Sequence, residues 1–301
     1  MKKLFYLMIL TLIGGLSASA QMTLPRDSQR QEIAQTVGDT RISIVYHRPN
    51  TKARKNIWGC QSTDVVPKGS ATYPCLVPNG QVWRTGANEN TTFEVSRDVT
   101  INGQNLPAGK YGFHAIPNKT EWTLIFSKVN DSWGSFSYDA SKDQLRVTTK
   151  PVKAAMQETL SYDFGNVTAS TTQVSLRWEK LAVPFTVDVG DVYGRTVAQV
   201  RDAIKNRKGD DVRPFNQGAG YVYAFRVKNS YEEALGWLDE SIKVKETFGN
   251  LNTKARILGE MGKKAEAIAA AEKAIQLGKA AAPPANAADL EKLLAEWKAK
   301  K

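Results

Sequence analysis

The chain has 301 residues, 42% of them hydrophobic, and a formal net charge of +11. That length allows two domains of ordinary size, each able to bury its own core. The basic excess forms no stripe interleaved with aromatics, which excludes the electrostatic footprint of a nucleic-acid binder and leaves an attraction to anionic envelope surfaces at most.

At the start, Met1-Lys-Lys3, the apolar run Leu4 to Ile13 and the small-residue close Ala18-Ser-Ala20 have the three parts of a secretory leader, with cleavage expected after Ala20. The apolar run is shorter than the roughly 20 residues a spanning helix needs, and no later segment is long enough, so no transmembrane segment is expected. No cysteine stands at the cleavage point, so no lipid anchor is expected either. Loss of Lys2 and Lys3 takes the charge from +11 to +9. The expected compartment is the periplasm or the exterior.

Residues 21–187 alternate with a period of two: Ile42, Ile44 and Tyr46; Phe93 and Val95; Trp122, Leu124 and Phe126; Leu160, Tyr162 and Phe164; Val174, Leu176 and Trp178. Each set puts large apolar groups on one side and polar groups on the other, as half-buried antiparallel strands do. Turn signals separate them at Asn102-Gly103, Pro107-Ala-Gly109, Pro117-Asn118 and Asn130-Asp131. The expectation is an antiparallel β-sandwich or a barrel-like closure of the same strands.

Polar groups on the apolar phase are the candidates for a site. In Arg41 to Arg48 the inward positions are Ile42, Ile44, Tyr46 and Arg48, so Arg48 must leave the core or find a partner, for which Glu89 and Asp98 are candidates. Arg54, with Lys52 and Lys55, adds donors matched to carboxylate or phosphate oxygens. Gln81 to Glu89 gathers Trp83, Arg84, Asn88 and Glu89 around Gly86, either as a pocket wall or as a latch in which Arg84 pairs with Glu89. Of the two histidines, His47 and His114, the second lies on the face opposite Tyr111 and Phe113, and beside Glu89 it would form an acid/base pair. Cys60 and Cys75 share one loop and read as a disulfide staple suited to an oxidising compartment, with a catalytic or redox pair as the alternative.

Several of these segments carry a resemblance. Tyr46-His-Arg-Pro49, Lys52-Ala-Arg54, Ile57-Trp-Gly59, Leu76-Val-Pro78, the Val82 to Glu89 run, Leu106-Pro-Ala-Gly-Lys-Tyr111, Trp122-Thr-Leu-Ile125, Trp178-Glu-Lys180 and Val183-Pro-Phe185 resemble the bacterial family catalogued as domain of unknown function 2911. The likeness covers about residues 24 to 187. It implies a domain boundary and no reaction. The cysteine loop departs from the family pattern, in which Gly59 and Leu76 would be nearly adjacent, so it reads as a stapled insertion.

After Asp188 the period lengthens. Val197, Val200 and Ile204 share a helical face, and Ala224 to Val227 reads as the start of another short helix. Ser230 to Ile242 and Lys264 to Ile275 form a near-repeat in which Ala234 aligns with Ala267. The spacing resembles the tetratricopeptide repeat, although Lys264 replaces the expected aromatic and only about two units can be drawn. A final helix is expected from about Ala287 to Lys300. Residues 188–301 are thus expected to be helical, making the whole α+β; they either bind a protein partner or dock on the sheets.

The chain has no His-Glu-x-x-His, no Gly-x-Ser-x-Gly, no phosphate-binding loop and no dinucleotide fingerprint. Two histidines and two paired cysteines cannot build a zinc site of nitrogen and sulfur ligands without carboxylates. No cofactor and no metal are therefore expected. The leading reading is a non-enzymatic binding module for a small anionic or carboxylate-bearing ligand, held by Tyr46, Arg48, Arg54, Trp83, Arg84, Asn88, Glu89 and His114. A hydrolase of envelope sugars or peptides, with Glu89 and either His114 or Asp98 as acid and base, is the alternative, and a purely structural protein the third.

Overall fold

The computed structural model describes residues 24–61 and 75–299; the expected leader, with its cleavage point at Ala20, lies outside the described residues. Twelve strands are described: β1 (Gln29–Val37), β2 (Thr40–Arg48), β3 (Trp58–Gln61), β4 (Val77–Asn79), β5 (Thr91–Val95), β6 (Val99–Ile101), β7 (Gln104–Leu106), β8 (Gly109–Ile116), β9 (Trp122–Ser127), β10 (Asp143–Thr149), β11 (Val152–Gly165) and β12 (Thr171–Asp188). Six helices follow: α1 (Val192–Lys205), α2 (Arg213–Ala224), α3 (Tyr231–Val244), α4 (Phe248–Glu260), α5 (Lys264–Ala280) and α6 (Ala288–Ala299).

The strands form a six-stranded antiparallel sheet in the order β1-β2-β5-β8-β9-β10, and a four-stranded antiparallel sheet in the order β11-β12-β6-β7. Both sheets keep free edges, so the barrel-like alternative is not formed. Their facing sides supply the apolar groups expected from alternation. Ile42, Ile44, Tyr46, Phe93, Phe113, Leu124 and Phe126 from the first sheet are buried with Leu160, Tyr162, Val174, Leu176, Trp178 and Phe185 from the second. The rings of Tyr46 and Tyr162 meet at 4.7 Å and those of Phe113 and Phe185 at 5.5 Å. Each fully buried side chain of this size stabilises by about 1.5–3 kcal/mol.

Asn102 and Gly103 both take positive φ between β6 and β7, as a tight two-residue hairpin requires. Strand β1 has only two large apolar residues, Ile33 and Val37, with Ala34 and otherwise polar groups, and is an edge strand, which explains why alternation gave no signal there. Cys60 and Cys75 are joined by a disulfide. At its base the short parallel pair β3–β4 sets Trp58 beside Val77, which restores the closeness of Gly59 and Leu76 on either side of the inserted loop.

The helical half stands on its own cores. One joins Val197, Phe215, Val222, Trp237, Leu238 and Ile257; the other joins Leu251, Ala255, Ala271, Ile275 and Leu290; neither includes a residue from a sheet. Ala234 and Ala267 are both fully buried, as close helix approach demands. The residues Ala224 to Val227 do not start a helix: they end α2, which begins at Arg213 with a proline in its first turn. Composition hid that helix, because Gly218 sits where a Cβ would stand 2.3 Å from Val200 Cγ1; the glycine exists to let α1 and α2 touch. Thr247 and Asn250 form a reciprocal capping box that starts α4. The join to the sheets runs through the first turn of α1, where Val192 enters the sandwich core and Arg195 donates to Asp39 at 2.7 Å. Beyond that first turn the helices pack chiefly on one another. Among the described residues no helix is long and apolar enough to cross a membrane.

Candidate functional site

Antiparallel pairing fixes which way the Gln81 to Glu89 stretch presents its side chains. Trp83 and Ala115 exchange backbone hydrogen bonds, each N–H donating to the other's carbonyl at 2.8 Å. Directly paired residues share a face, so the Trp83 indole turns inward with Ala115 and Arg84 turns to the face of His114. There the indole joins Trp58, Trp122 and Trp178, stacking on Trp178 at 6.2 Å, and its N–H donates to the Gly86 carbonyl at 3.2 Å.

Backbone strain gathers at the same place. Lys52 (φ 50), Ala53 (φ 56), Thr85 (φ 54) and Asn88 (φ 58) all adopt the left-handed region, which for a β-branched threonine is an outlier costing about 1–3 kcal/mol. Thr85 is held there because its hydroxyl donates to the Phe113 carbonyl at 3.0 Å, while its own carbonyl accepts from Tyr162 at 2.9 Å and from Thr91 at 3.3 Å.

Two clefts flank the segment Leu24 to Ser28, which crosses the edge of the first sheet. The smaller, about 330 Å³, is lined by Asp27, Asn50, Lys52, Arg54, Leu76, Trp83, Arg84 and Trp178 among others. The larger, about 710 Å³ and more open, is bordered by Arg26, Arg30, His47, Glu89, Lys110 and Asp131. The two segments expected to face each other, Tyr46 to Arg54 and Trp83 to Glu89, do meet in the smaller cleft through Arg54, Trp83 and Arg84.

The ion pairs differ from those the sequence proposed. Glu89 does not pair with Arg84; it accepts both bonds of a bidentate contact from Arg26 at 2.6 and 2.7 Å and lies 3.3 Å from His47 Nε2. The reason is chain direction: the Leu24 to Ser28 segment enters β1 over this loop, its Ser28 carbonyl accepting from Asn88 Nδ2 at 3.1 Å, and brings Arg26 onto the carboxylate. Burial opposes ionisation of Glu89, but the Arg26 contact and neighbouring His47 outweigh it and hold the carboxyl below its ordinary value. Burial pulls the His47 imidazole down, with Glu89 opposing.

Arg48 pairs with neither Glu89 nor Asp98. Its Nε donates to the Leu160 carbonyl at 2.9 Å, tying the first sheet to the second at their rim. Asp98 is spent on the Ala108 amide at 2.8 Å. Tyr46 is fully buried, its hydroxyl donating to Gln31 at 2.6 Å and accepting from the Tyr162 amide at 3.0 Å, so it is core and reaches neither cleft. His114 is 3% exposed, set against Ser135 Oγ at 3.1 Å under the loop after β9; burial first, then the Arg84 charge, take its pKa down to about 4 although Asp143 opposes. Neither acid/base pair built on Glu89 is thus formed: the imidazole beside that carboxylate is His47. Gly112 lets the covering loop lie on the sheet, since a Cβ there would stand 2.2 Å from the Val129 carbonyl oxygen.

Arg84 is left over. Its side chain is half-buried, its Nη1 comes within 3.3 Å of where a Cβ on Gly134 would stand, and its buried Nε finds no acceptor among the described residues. Burial pushes the guanidinium below its ordinary value, with no carboxylate opposing. Trp58 Nε1, in the ring cluster behind Trp83 and Trp178, is a second buried N–H without an acceptor. Asp27 is the one acidic residue in the described lining of the smaller cleft beside Lys52, Arg54 and Arg84. Glu158, just outside it, accepts from the Lys52 amide at 2.9 Å, and its carboxyl is lowered first by the Thr51 hydroxyl and, as a lesser cause, by the nearby Arg54 charge. Such a lining favours anionic groups through charge-assisted hydrogen bonds. Among the described residues no cluster of histidine, cysteine, aspartate and glutamate has the form of a metal site.

Sequence reasoning missed Arg26, Asp27, His47 as the partner of Glu89, and Trp178 as a wall. Only His47 left a signal, its position off the apolar phase of β2. Against known proteins, no curated protein and no solved structure matches. A family model described as Protein of unknown function (DUF2911) matches residues 28–187, more than half the chain and the whole of the sandwich. The chain belongs to that family.

Proposed function

We propose that the protein is an exported, non-catalytic binding module whose sandwich takes a small carboxylate-bearing ligand in the cleft between Lys52–Arg54 and Trp83–Arg84, and whose helical half offers a surface to protein partners. The observation that carries this reading is Arg84, a half-buried guanidinium with no carboxylate partner among the described residues, at the border of a cleft already rich in cations. Uncompensated buried charge is costly, and chains that keep it commonly use it. The tryptophan wall supplies an apolar surface for the rest of a ligand, and the cleft volume is that of small-molecule sites. Export is supported by the leader-like opening and by the Cys60–Cys75 disulfide. The self-contained cores of the helical half leave its outer surfaces free of the sandwich.

The test is isothermal titration of residues 21–301 with citrate at low and high salt. Saturable binding that weakens with salt is expected, and Arg84→Met should weaken it about tenfold or more, the worth of a lost hydrogen bond to a charged group. Arg54→Gln, at an exposed position, should weaken it less. Absence of binding, or equal binding by all three proteins, would rule out the cleft.

A further inference from the structure

The cleft of the proposed function already contains one carboxylate, and it belongs to the chain. Asp27 lies on Lys52 Nζ at 2.6 Å and is the only acidic residue in the described lining. The next residue, Ser28, gives its carbonyl to Asn88 Nδ2 at 3.1 Å, and the preceding one, Arg26, is fixed on Glu89 and over the Trp133 ring at 5.3 Å. Three successive residues of the segment that leads into β1, bent at Asp27 and Ser28, thus hold three groups of the candidate site: an acid on a lysine, a carbonyl on an amide, and a cation on a carboxylate beside an aromatic ring. We infer that the cleft recognises an acidic side chain carried on a peptide, and that Asp27 occupies this subsite in cis as a competitor.

The inference rests on the anionic-ligand reading and names the ligand's class. Its logic is that of charge and exposure. Asp27 stays 84% exposed while Lys52 holds its carboxyl below the ordinary value, so the contact is formed but shallow and an incoming carboxylate can replace it. Arg54 spends donors on the carbonyls of Thr51 and Asn50 and lies near Glu158, whereas Arg84 pairs with no carboxylate among the described residues, so Arg84 is the cationic capacity that Asp27 does not saturate. The resident segment bends at Asp27 and Ser28 and then enters β1, whose Gln29 pairs with Arg48 at the sheet edge. A free sulfate would satisfy the cations alone, whereas the Asn88 amide reads a peptide carbonyl.

The experiment uses residues 21–301, the same chain with Asp27→Asn, and an acetylated peptide copying residues 24–30, measured by titration calorimetry beside citrate. Asp27 is exposed, so the variant folds, which circular dichroism checks. The peptide is expected to bind the Asp27→Asn chain about two- to fivefold more tightly than the wild type, the range of an exposed ion pair. A peptide with asparagine in place of its aspartate is expected to lose most of that affinity. Equal affinity of both chains for the peptide, or no preference for the aspartate peptide, would overturn the inference; citrate binding that still depends on Arg84 would then leave the anionic cleft standing. Failure of both peptide and citrate to bind either chain would remove both.

Discussion

Replacing Arg84 by methionine separates a ligand-binding group from a structural latch by the sign of a stability change. A latch residue loses its partners on substitution. Among the described residues Arg84 has no ion pair to lose, and its buried Nε has no acceptor. An unsatisfied buried donor costs about 1–3 kcal/mol, while methionine keeps most of the apolar stem and removes the polar end. Allowing for a guanidinium that is only half-buried, the expectation is unchanged stability or a gain of about 1 kcal/mol, a rise in Tm of about 2–4 °C for a domain of this size. The assay is a thermal melt by circular dichroism at low salt, without and with citrate. Citrate at about a hundredfold excess over its wild-type Kd should stabilise the wild type by about 2.7 kcal/mol and a tenfold weaker variant by about 1.4 kcal/mol or less. A fall of several degrees for the ligand-free variant would show that the guanidinium holds the loop against the sheet, and the reasoning would fail.

Two further outcomes follow from geometry already described. His114 titrates near pH 4 in the folded chain and near 6.5 when unfolded, so between those values the unfolded chain binds more protons and stability falls as pH is lowered, in full strength above 6.5 and lost by about 4. The shift corresponds to about 3 kcal/mol; urea melts from pH 7.5 to 4 should show it, and His114→Gln should flatten the curve. An unchanged slope in that variant would contradict the buried neutral imidazole. The Cys60–Cys75 disulfide closes a separation of 15 residues, so Cys60→Ser with Cys75→Ser should lower sandwich stability by about 3 kcal/mol, read from denaturant midpoints; a loss under 1 kcal/mol would mean that the β3–β4 pairing holds the loop by itself.

The sandwich was legible because each of its long strands writes its own burial: Ile42, Ile44 and Tyr46 announce β2 whatever lies beside them. What stayed hidden depends on neighbours. Strand β1 is an edge whose inner row is Gln31, Ile33, Gln35 and Val37, too polar to alternate. Helix α2 spends Gly218 on the close approach of α1 and Trp237 and carries Gly220, whose Cβ position is open, so its sequence lacks a clear helical signal. In both cases the residue choice answers a tertiary contact, and local pattern points the wrong way.

The candidate site shows the same division more sharply. That Arg84, Glu89 and Trp83 matter to one loop could be read from their density, but not which charge meets which. By sequence Glu89 had two candidate arginine partners, Arg84 five residues before it in the same loop and Arg48 at the end of β2, and it takes neither. The partner it takes is 63 residues away and sits on a segment with no periodicity at all. Had Arg84 held Glu89, the loop would close on itself, electrically neutral and indifferent to solutes. Because Arg26 takes Glu89, the half-buried Arg84 guanidinium is left with no counter-charge among the described residues, and the anionic preference proposed for the cleft traces to where the N-terminal segment crosses the sheet edge.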